Sequence, residues 1–163
     1  MNEPFYPAAS VVPEFLKPDD ITFAQNAEDL RYHERQHRDR QAFTFTTMNL
    51  DESECLGCIY INPLREFVDQ ASRNDQDMSV LSEIGTHVSF WVRTSRHPDG
   101  LDGRVLRALI DWFVAAWEYA SIAFGTYSKV QHQVRLFEDA GLLLAVAVDM
   151  NGKDGQELMC VVP

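Results

Sequence analysis

Arg93, Arg96, His97, Arg104 and Arg107 fall within fifteen consecutive positions of a chain that carries 25 Asp and Glu against 14 Lys and Arg. Local positive charge on an acidic protein suits a small phosphate-bearing ligand better than a polyanion such as DNA. The competing reading is a solvated rim in which these arginines pair with Asp99, Asp102 and Asp111, which contributes little. The stretch also holds Asp99-Gly100 and Asp102-Gly103, signals for a turn and a helix start. Loose backbone N–H groups and the helix dipole both point at whatever lies at such a junction, which makes it a natural anion site. Asp102 is expected to cap the helix with its carboxylate on the N–H of Val105.

Two further motifs carry chemistry on paper. His33-Glu34-Arg35-Gln36-His37 spells H-E-x-x-H, the zinc-hydrolase pattern of two ligands and a general base on one helix face. Arg31, Arg35, Arg38, Asp39 and Arg40 surround it, so the segment reads as a solvated surface helix rather than one buried beside a metal. Cys55-Leu56-Gly57-Cys58 suggests zinc or redox chemistry, yet the chain has three cysteines in all, the third being Cys160. Strand positions three apart point to opposite faces, so the two sulfurs are expected to diverge and to remain buried free thiols.

The elements that must position these residues follow from pattern. A chain of 163 residues with 45% apolar content is expected to form one domain. A domain of this length buries roughly 70% of its unfolded surface. It has no apolar run long enough to span a membrane and no basic-then-apolar leader, so a cytoplasmic protein is the default. Residues 1–22, with Pro4, Pro7, Pro13 and Pro18, read as an irregular lead-in. Asn26–Gln41 is predicted as a helix capped by Asn26, and Ala42–Asn49 with Cys55–Asn62 as a β-hairpin. Pro63–Glu83 is polar and is either a long loop or a short helix plus loop. Thr86–Val92 is predicted as a strand, Arg93–Gly103 as its loop, and a helix follows from Val105. Its apolar stripe is Val105, Leu106, Leu109, Ile110, Phe113 and Val114. Trp112, Phe113 and Trp117 on that helix belong to the core or to a subunit interface. Ser121–Ser128 reads as a strand, and Lys129–Ala140 as a helix closed by Gly141. Leu142–Met150 reads as a strongly buried strand, Asn151–Gly155 as a turn and Glu157–Val162 as a last strand.

Val92-x-x-x-x-His97-x-x-Gly100-x-Asp102, followed by Val105-Leu106, resembles the acetyl-CoA loop of the GNAT N-acetyltransferase superfamily. In that family a strand residue is followed five positions later by Arg or Gln, then by x-x-Gly-x-Gly/Ala. Here His97 stands at the Arg/Gln position, Asp102 at the last Gly/Ala, and Pro98 removes a backbone donor. Phe137-Glu138-Asp139-Ala140-Gly141-Leu142 resembles the family's late Tyr-x-x-x-Gly-Phe segment, with Phe137 at the Tyr position. The element order from about residue 24 onward is similar as well. The resemblance implies a single α/β domain, with a mixed, mostly antiparallel sheet flanked by helices.

It also implies transfer of an acetyl group from acetyl-CoA to an amine of a small molecule or a protein, with no metal. In the family, backbone N–H groups of the strand here aligned with Phe90, Trp91 and Val92 serve the cofactor, where a bulge splays the strand from its neighbour. Arg96, His97, Gly100, Leu101, Asp102 and Gly103 align with the loop that holds its diphosphate. The family's usual acid is the late-helix tyrosine, a task Phe137 cannot perform; Tyr127, Tyr60 or water are the substitutes. Thr86 occupies a common Glu position, leaving Glu83 and His87 as candidate bases. The departures at Asp102, Pro98 and Phe137 motivate a second reading, the same fold as a CoA-binding or interaction module without turnover. The acidic balance favours a cationic acceptor, neither nucleic acid nor membrane is an expected partner, and a sheet edge or helix face could carry a homodimer.

Overall fold

The computed structural model describes residues 22–64, 75–116, 121–149 and 155–163. Most of the lead-in, Trp117 and most of the Asn151–Gly155 turn lie outside the described residues. The first helix, α1 (Phe23–Arg38), starts three residues before the position expected from Asn26. Thr22 is the cap: its hydroxyl accepts the Gln25 N–H at 3.2 Å while the Gln25 side chain accepts the Thr22 N–H at 2.8 Å. Two donors at the helix start are thereby satisfied reciprocally, which outweighs anything Asn26 offers. As its charges require, α1 buries no residue.

The hairpin follows as β1 (Phe43–Met48) and β2 (Cys55–Pro63), then α2 (Asp75–Ser82) and β3 (Thr86–Val92). A 3₁₀ turn at Thr94–Arg96 leads into α3 (Leu101–Ala116), followed by β4 (Ile122–Tyr127), α4 (Gln131–Asp139), β5 (Leu143–Asp149) and β6 (Gln156–Val161). The strands form one six-stranded sheet in the order β1-β2-β3-β4-β6-β5. Every pairing is antiparallel except β3 with β4, which are joined through α3 as a crossover.

Side-chain alternation gives the sheet two covered faces. On one, Ile61, Val88, Phe90, Phe124 and Cys160 pack against Leu106, Leu109 and Phe113 of α3 and Phe137 of α4. Burial of a large apolar side chain is worth about 1.5–3 kcal/mol, so Phe124 and Phe137, fully enclosed here, anchor this layer. On the other, Leu81 of α2 and Ile84 cover Ala123, Val146, Val148 and Met159. Val114, assigned to the core stripe of α3, is instead 73% exposed, since one sheet covers a narrower arc than the apolar run offers. The strand at Leu142–Met150 is not strongly buried either: β5 is the sheet edge, with Leu143 55% and Leu144 58% exposed. Trp112 stays partly exposed, its ring edge-on to Phe45 of β1 with centroids 5.7 Å apart.

Candidate active site

β3 positions the site because its two edges behave differently. Against β2 it pairs without a break from Gly57↔Val92 to Pro63↔Thr86. Against β4 it pairs for three residues, Thr86↔Ile122 to Val88↔Phe124, and the two strands then part. The fork therefore arises where the parallel ladder stops; the expected bulge in β3 is not there. Register shifts occur elsewhere, at Thr47/Met48 against β2 and at Leu144/Val146 against β6.

Past Val88, alternate residues of β3 face the fork. The Arg93 N–H still donates to Leu56 O on the β2 side at 2.8 Å. The carbonyls of Phe90 and Val92 turn the other way: Phe90 O accepts from Gln133 Nε2 at 2.9 Å, and His97 Nε2 lies 3.2 Å from Val92 O. Backbone N–H and C=O of one extended residue share an edge, so the Phe90 and Val92 N–H groups face the fork too. Gln133 spans the opening, because its Oε1 accepts the Thr126 hydroxyl of β4 at 2.9 Å.

Behind the fork, on the α2 side of the sheet, lies a buried polar pair. His87 Nε2 is 3.4 Å from Glu157 Oε1, and each side chain is 6% exposed. They sit on β3 and β6, with β4 between them, and they meet because the intervening residue is Gly125. A Cβ there would run into the His87 ring and the Glu157 carboxylate. Tyr127 is the cross-strand partner of Glu157 and shares that face. On β2, the Tyr60 hydroxyl accepts from Trp91 Nε1 at 3.4 Å on the same face of β2 and β3. Of the candidate bases, His87 is buried with Glu157, whereas Glu83 is exposed in the turn before β3, its backbone carbonyl accepting the Ser121 hydroxyl. Phe137 is 1% exposed and packs on Phe90 and Phe124 as a core residue.

At the mouth of the fork the loop differs from expectation. Gly100 takes the left-handed conformation at φ +67°, which glycine adopts without strain, and α3 starts directly after it. Asp102 lies inside the first turn rather than capping Val105. Its Oδ1 accepts the Gly103 N–H at 2.8 Å, and its Oδ2 meets His132 Nε2 of α4. The N–H groups of Arg96, His97 and Gly100 are bonded within the loop. Arg96 pairs with Glu54 at 3.2 Å and Asp99 at 3.6 Å, and Arg104 donates to the Asp99 carbonyl at 2.6 Å. The solvated-rim reading thus describes Arg96, although Asp102 is turned to histidine instead.

The Cys55-x-x-Cys58 segment also departs from ideal alternation. The register shift in the β1–β2 ladder carries Cys55 out of step; its thiol donates to the Gly57 carbonyl at 3.6 Å and lies near enough to Cys58 to act on it. Burial first, and the neighbouring Cys55 second, push the Cys58 thiol up to about 12. Both cysteines are free. In α1, His33 Nδ1 contacts the Thr44 hydroxyl at 3.2 Å and the His37 ring packs edge-on to Phe43 and Phe45, the places of residues on a sheet-flanking helix.

No family sequence model and no curated protein sequence matches the chain. Solved structures do. A ribosomal-protein-S5-alanine acetyltransferase from Vibrio fischeri aligns at 16% identity over 97% of this chain and 77% of its own, with a TM-score of 0.59. A protein described as a GNAT-family acetyltransferase from Bordetella pertussis aligns at 14% identity over 87% of this chain and 78% of its own, TM-score 0.61. A spermidine/spermine N-acetyltransferase from Vibrio cholerae aligns at 9% identity over 85% and 74%, TM-score 0.59. The fold is that of the GNAT acetyltransferases. At these identities the GNAT likeness is one of backbone architecture.

Three residues of this site escape motif reading: Glu157, Gln133 and His132. Glu157 and His132 carry no local pattern. Gly125, inside an otherwise β-prone run, is the signal that a side chain from a neighbouring strand crosses there.

Proposed function

We propose that the protein is a GNAT-like N-acetyltransferase that moves an acetyl group from acetyl-CoA to an amine. The observation that carries this is the fork: Phe90 and Val92 direct backbone N–H groups into it, and the buried His87–Glu157 pair lies at its closed end. Such a fork fits the thioester end of acetyl-CoA, which would supply the acetyl group in activated form. An N–H held in place by the β2–β3 ladder stabilises the charge that grows on the acyl oxygen, at no cost in reorganisation. His87, the candidate base, removes the proton that the amine must lose as its nitrogen bonds to the acyl carbon. Glu157 orients the imidazole and balances its charge. Tyr127 is the candidate acid, returning a proton to the departing sulfur as the carbon–sulfur bond breaks. At the other end, Arg96, His97, Gly100, Leu101, Asp102 and Gly103 would border the diphosphate.

The acceptor best suited to an acidic chain is a cationic amine, free or on a basic protein, in a cytoplasmic setting that keeps Cys55, Cys58 and Cys160 reduced. Two of the similar structures, by their descriptions, act on a spermidine-type amine and on a ribosomal protein. One specific observation favours the second reading, a CoA-binding module without turnover: the Asp102 carboxylate takes up the Gly103 N–H that a phosphate would otherwise use.

The test is release of free CoA thiol from acetyl-CoA over a panel of polyamines, basic peptides and neutral amines, alongside a thermal melt with acetyl-CoA. Ligand at 100 times its Kd adds about 2.7 kcal/mol. For a domain of this length that is about 5–10 °C. Turnover that falls at least tenfold in Glu157→Gln with the acetyl-CoA melt shift retained supports the enzyme reading. A melt shift without turnover on any amine establishes the binding module. No shift at millimolar acetyl-CoA refutes both. Equal turnover of neutral and cationic amines sinks the acceptor class alone.

A further inference from the structure

We propose that His97, Asp102 and His132 form a binding site for one divalent transition-metal ion at the start of α3. They come from three separate segments, the loop after β3, the first turn of α3 and the first turn of α4. One donor atom from each lies within 4.8 Å of the others. Neither proximity nor charge alone makes a metal site; the hydrogen bonds around the three side chains do more. The Val92 carbonyl can only accept, so the His97 Nε2 that faces it at 3.2 Å carries the hydrogen. In the neutral ring this leaves Nδ1 with its lone pair. A ligating histidine anchored through its other nitrogen by a backbone carbonyl is the usual outer arrangement of a metal site. Asp102 is held in the same manner: Oδ1 accepts the Gly103 N–H at 2.8 Å, while Oδ2 is turned to His132 Nε2. Two of the three ligands are thus pinned by backbone before any ion arrives.

The third ligand can move. The His97 and His132 rings stack with planes 4° apart and centroids separated by 4.2 Å. Parallel rings cannot both direct in-plane lone pairs at one ion, so binding requires one ring to turn. Asp102 Oδ2 accepts the His132 Nε2 hydrogen, so His132 releases that proton or turns its ring to offer Nδ1 as the ion takes its place; its side chain is 49% exposed, whereas Asp102 is 8% exposed and fixed. Ligand atoms around a tetrahedral ion at about 2.0–2.1 Å lie roughly 3.3 Å apart, a closure that rotation of one imidazole supplies. Two imidazoles and a carboxylate favour zinc, cobalt or nickel over magnesium or calcium, which prefer all-oxygen cages. Such an ion would cancel the negative charge that Asp102 brings to the α3 N-terminus. Any gain in diphosphate affinity rests on the acetyl-CoA reading, but metal binding itself does not.

The experiment is titration of chelator-stripped protein with Co²⁺ without nucleotide, followed by visible absorption and calorimetry, then repetition with Zn²⁺. The expected result is one ion per chain with a ligand-field absorption band, and binding weakened at least tenfold in both His97→Gln and His132→Gln. Because Asp102 is buried and its substitution could unfold the chain, the exposed His132 is the decisive position. A wild-type melting curve of His132→Gln shows that the loss is one of ligation. His33→Gln with His37→Gln should leave binding unchanged. Absence of binding at millimolar Co²⁺, or binding that survives His132→Gln, or binding lost in the His33/His37 variant, overturns the proposal. None of these outcomes touches the acetyltransferase reading, which is scored by thiol release.

Discussion

Replacing Gly125 by Ala tests the centre of the site with a single methyl group. In an ordinary strand this change stabilises, because glycine loses more backbone entropy on folding, by about 0.5–1 kcal/mol. Here the added carbon would overlap the His87 ring and the Glu157 carboxylate, which approach each other across that position. Neither can withdraw easily, each side chain being 6% exposed. Overpacking of this kind costs about 1–3 kcal/mol, and the need to displace two buried polar groups places it in the upper half. After the entropic gain is subtracted, a net loss of about 1–2.5 kcal/mol is expected. That lowers Tm by about 2–10 °C for a domain of this length. Urea denaturation of wild type, Gly125→Ala, His87→Ala and the double variant measures it as a cycle. Removing the ring removes the clash, so the double variant should be more stable than the sum of the single effects by at least ~0.5 kcal/mol. A Gly125→Ala protein as stable as wild type or more so, with additive behaviour in the cycle, would refute the claim that the pair crosses over β4.

Gly57→Ala should be harsher, since its Cβ would press on the Trp91 carbonyl, a backbone atom in the β2–β3 ladder that cannot rotate aside. A loss of more than ~2 kcal/mol in urea is expected, and a wild-type midpoint would contradict the register Gly57↔Val92. For Cys58, a thiol pushed from 9.0 to about 12 keeps its proton at pH 8, leaving a thiolate fraction of about one in ten thousand. Pulse alkylation at pH 8 should modify it about a thousandfold more slowly in the folded protein than in urea, the native rate rising about tenfold per pH unit. Equal labelling in both states would show that burial does not hold the proton on.

Much of the backbone is readable from local pattern. The β-branched and aromatic run Thr86–Val92 is β3 to the residue, the hairpin forms from its Phe, Thr, Ile and Tyr strands, and Gly141 takes φ +79° after α4. These elements depend on preferences within a few residues of each other, as does the solvated character of α1. The failures share a cause too. The Leu142–Met150 run looks buried because apolar content alone cannot distinguish an edge strand from a central one, and Val114 looks buried because a helix stripe does not reveal how wide its partner is. Ideal alternation sends the Cys55 and Cys58 side chains to opposite faces, which one shift of register undoes.

The site divides along the same line. By itself the amino-acid order determines that β3 feeds a glycine-bearing loop and a helix, and that His87 and Tyr127 lie on strands. It does not determine that Glu157, seventy positions after His87, reaches it across Gly125, or that His132 turns to Asp102 on another helix. Those encounters depend on strand order and on where the β3–β4 ladder ends, both set by packing α3 and α4 on one face and α2 on the other. Hydrogen-bond and hydrophobic preferences act over short stretches and are written in sequence. Which buried polar side chains must then share a space is decided only when the sheet closes around them.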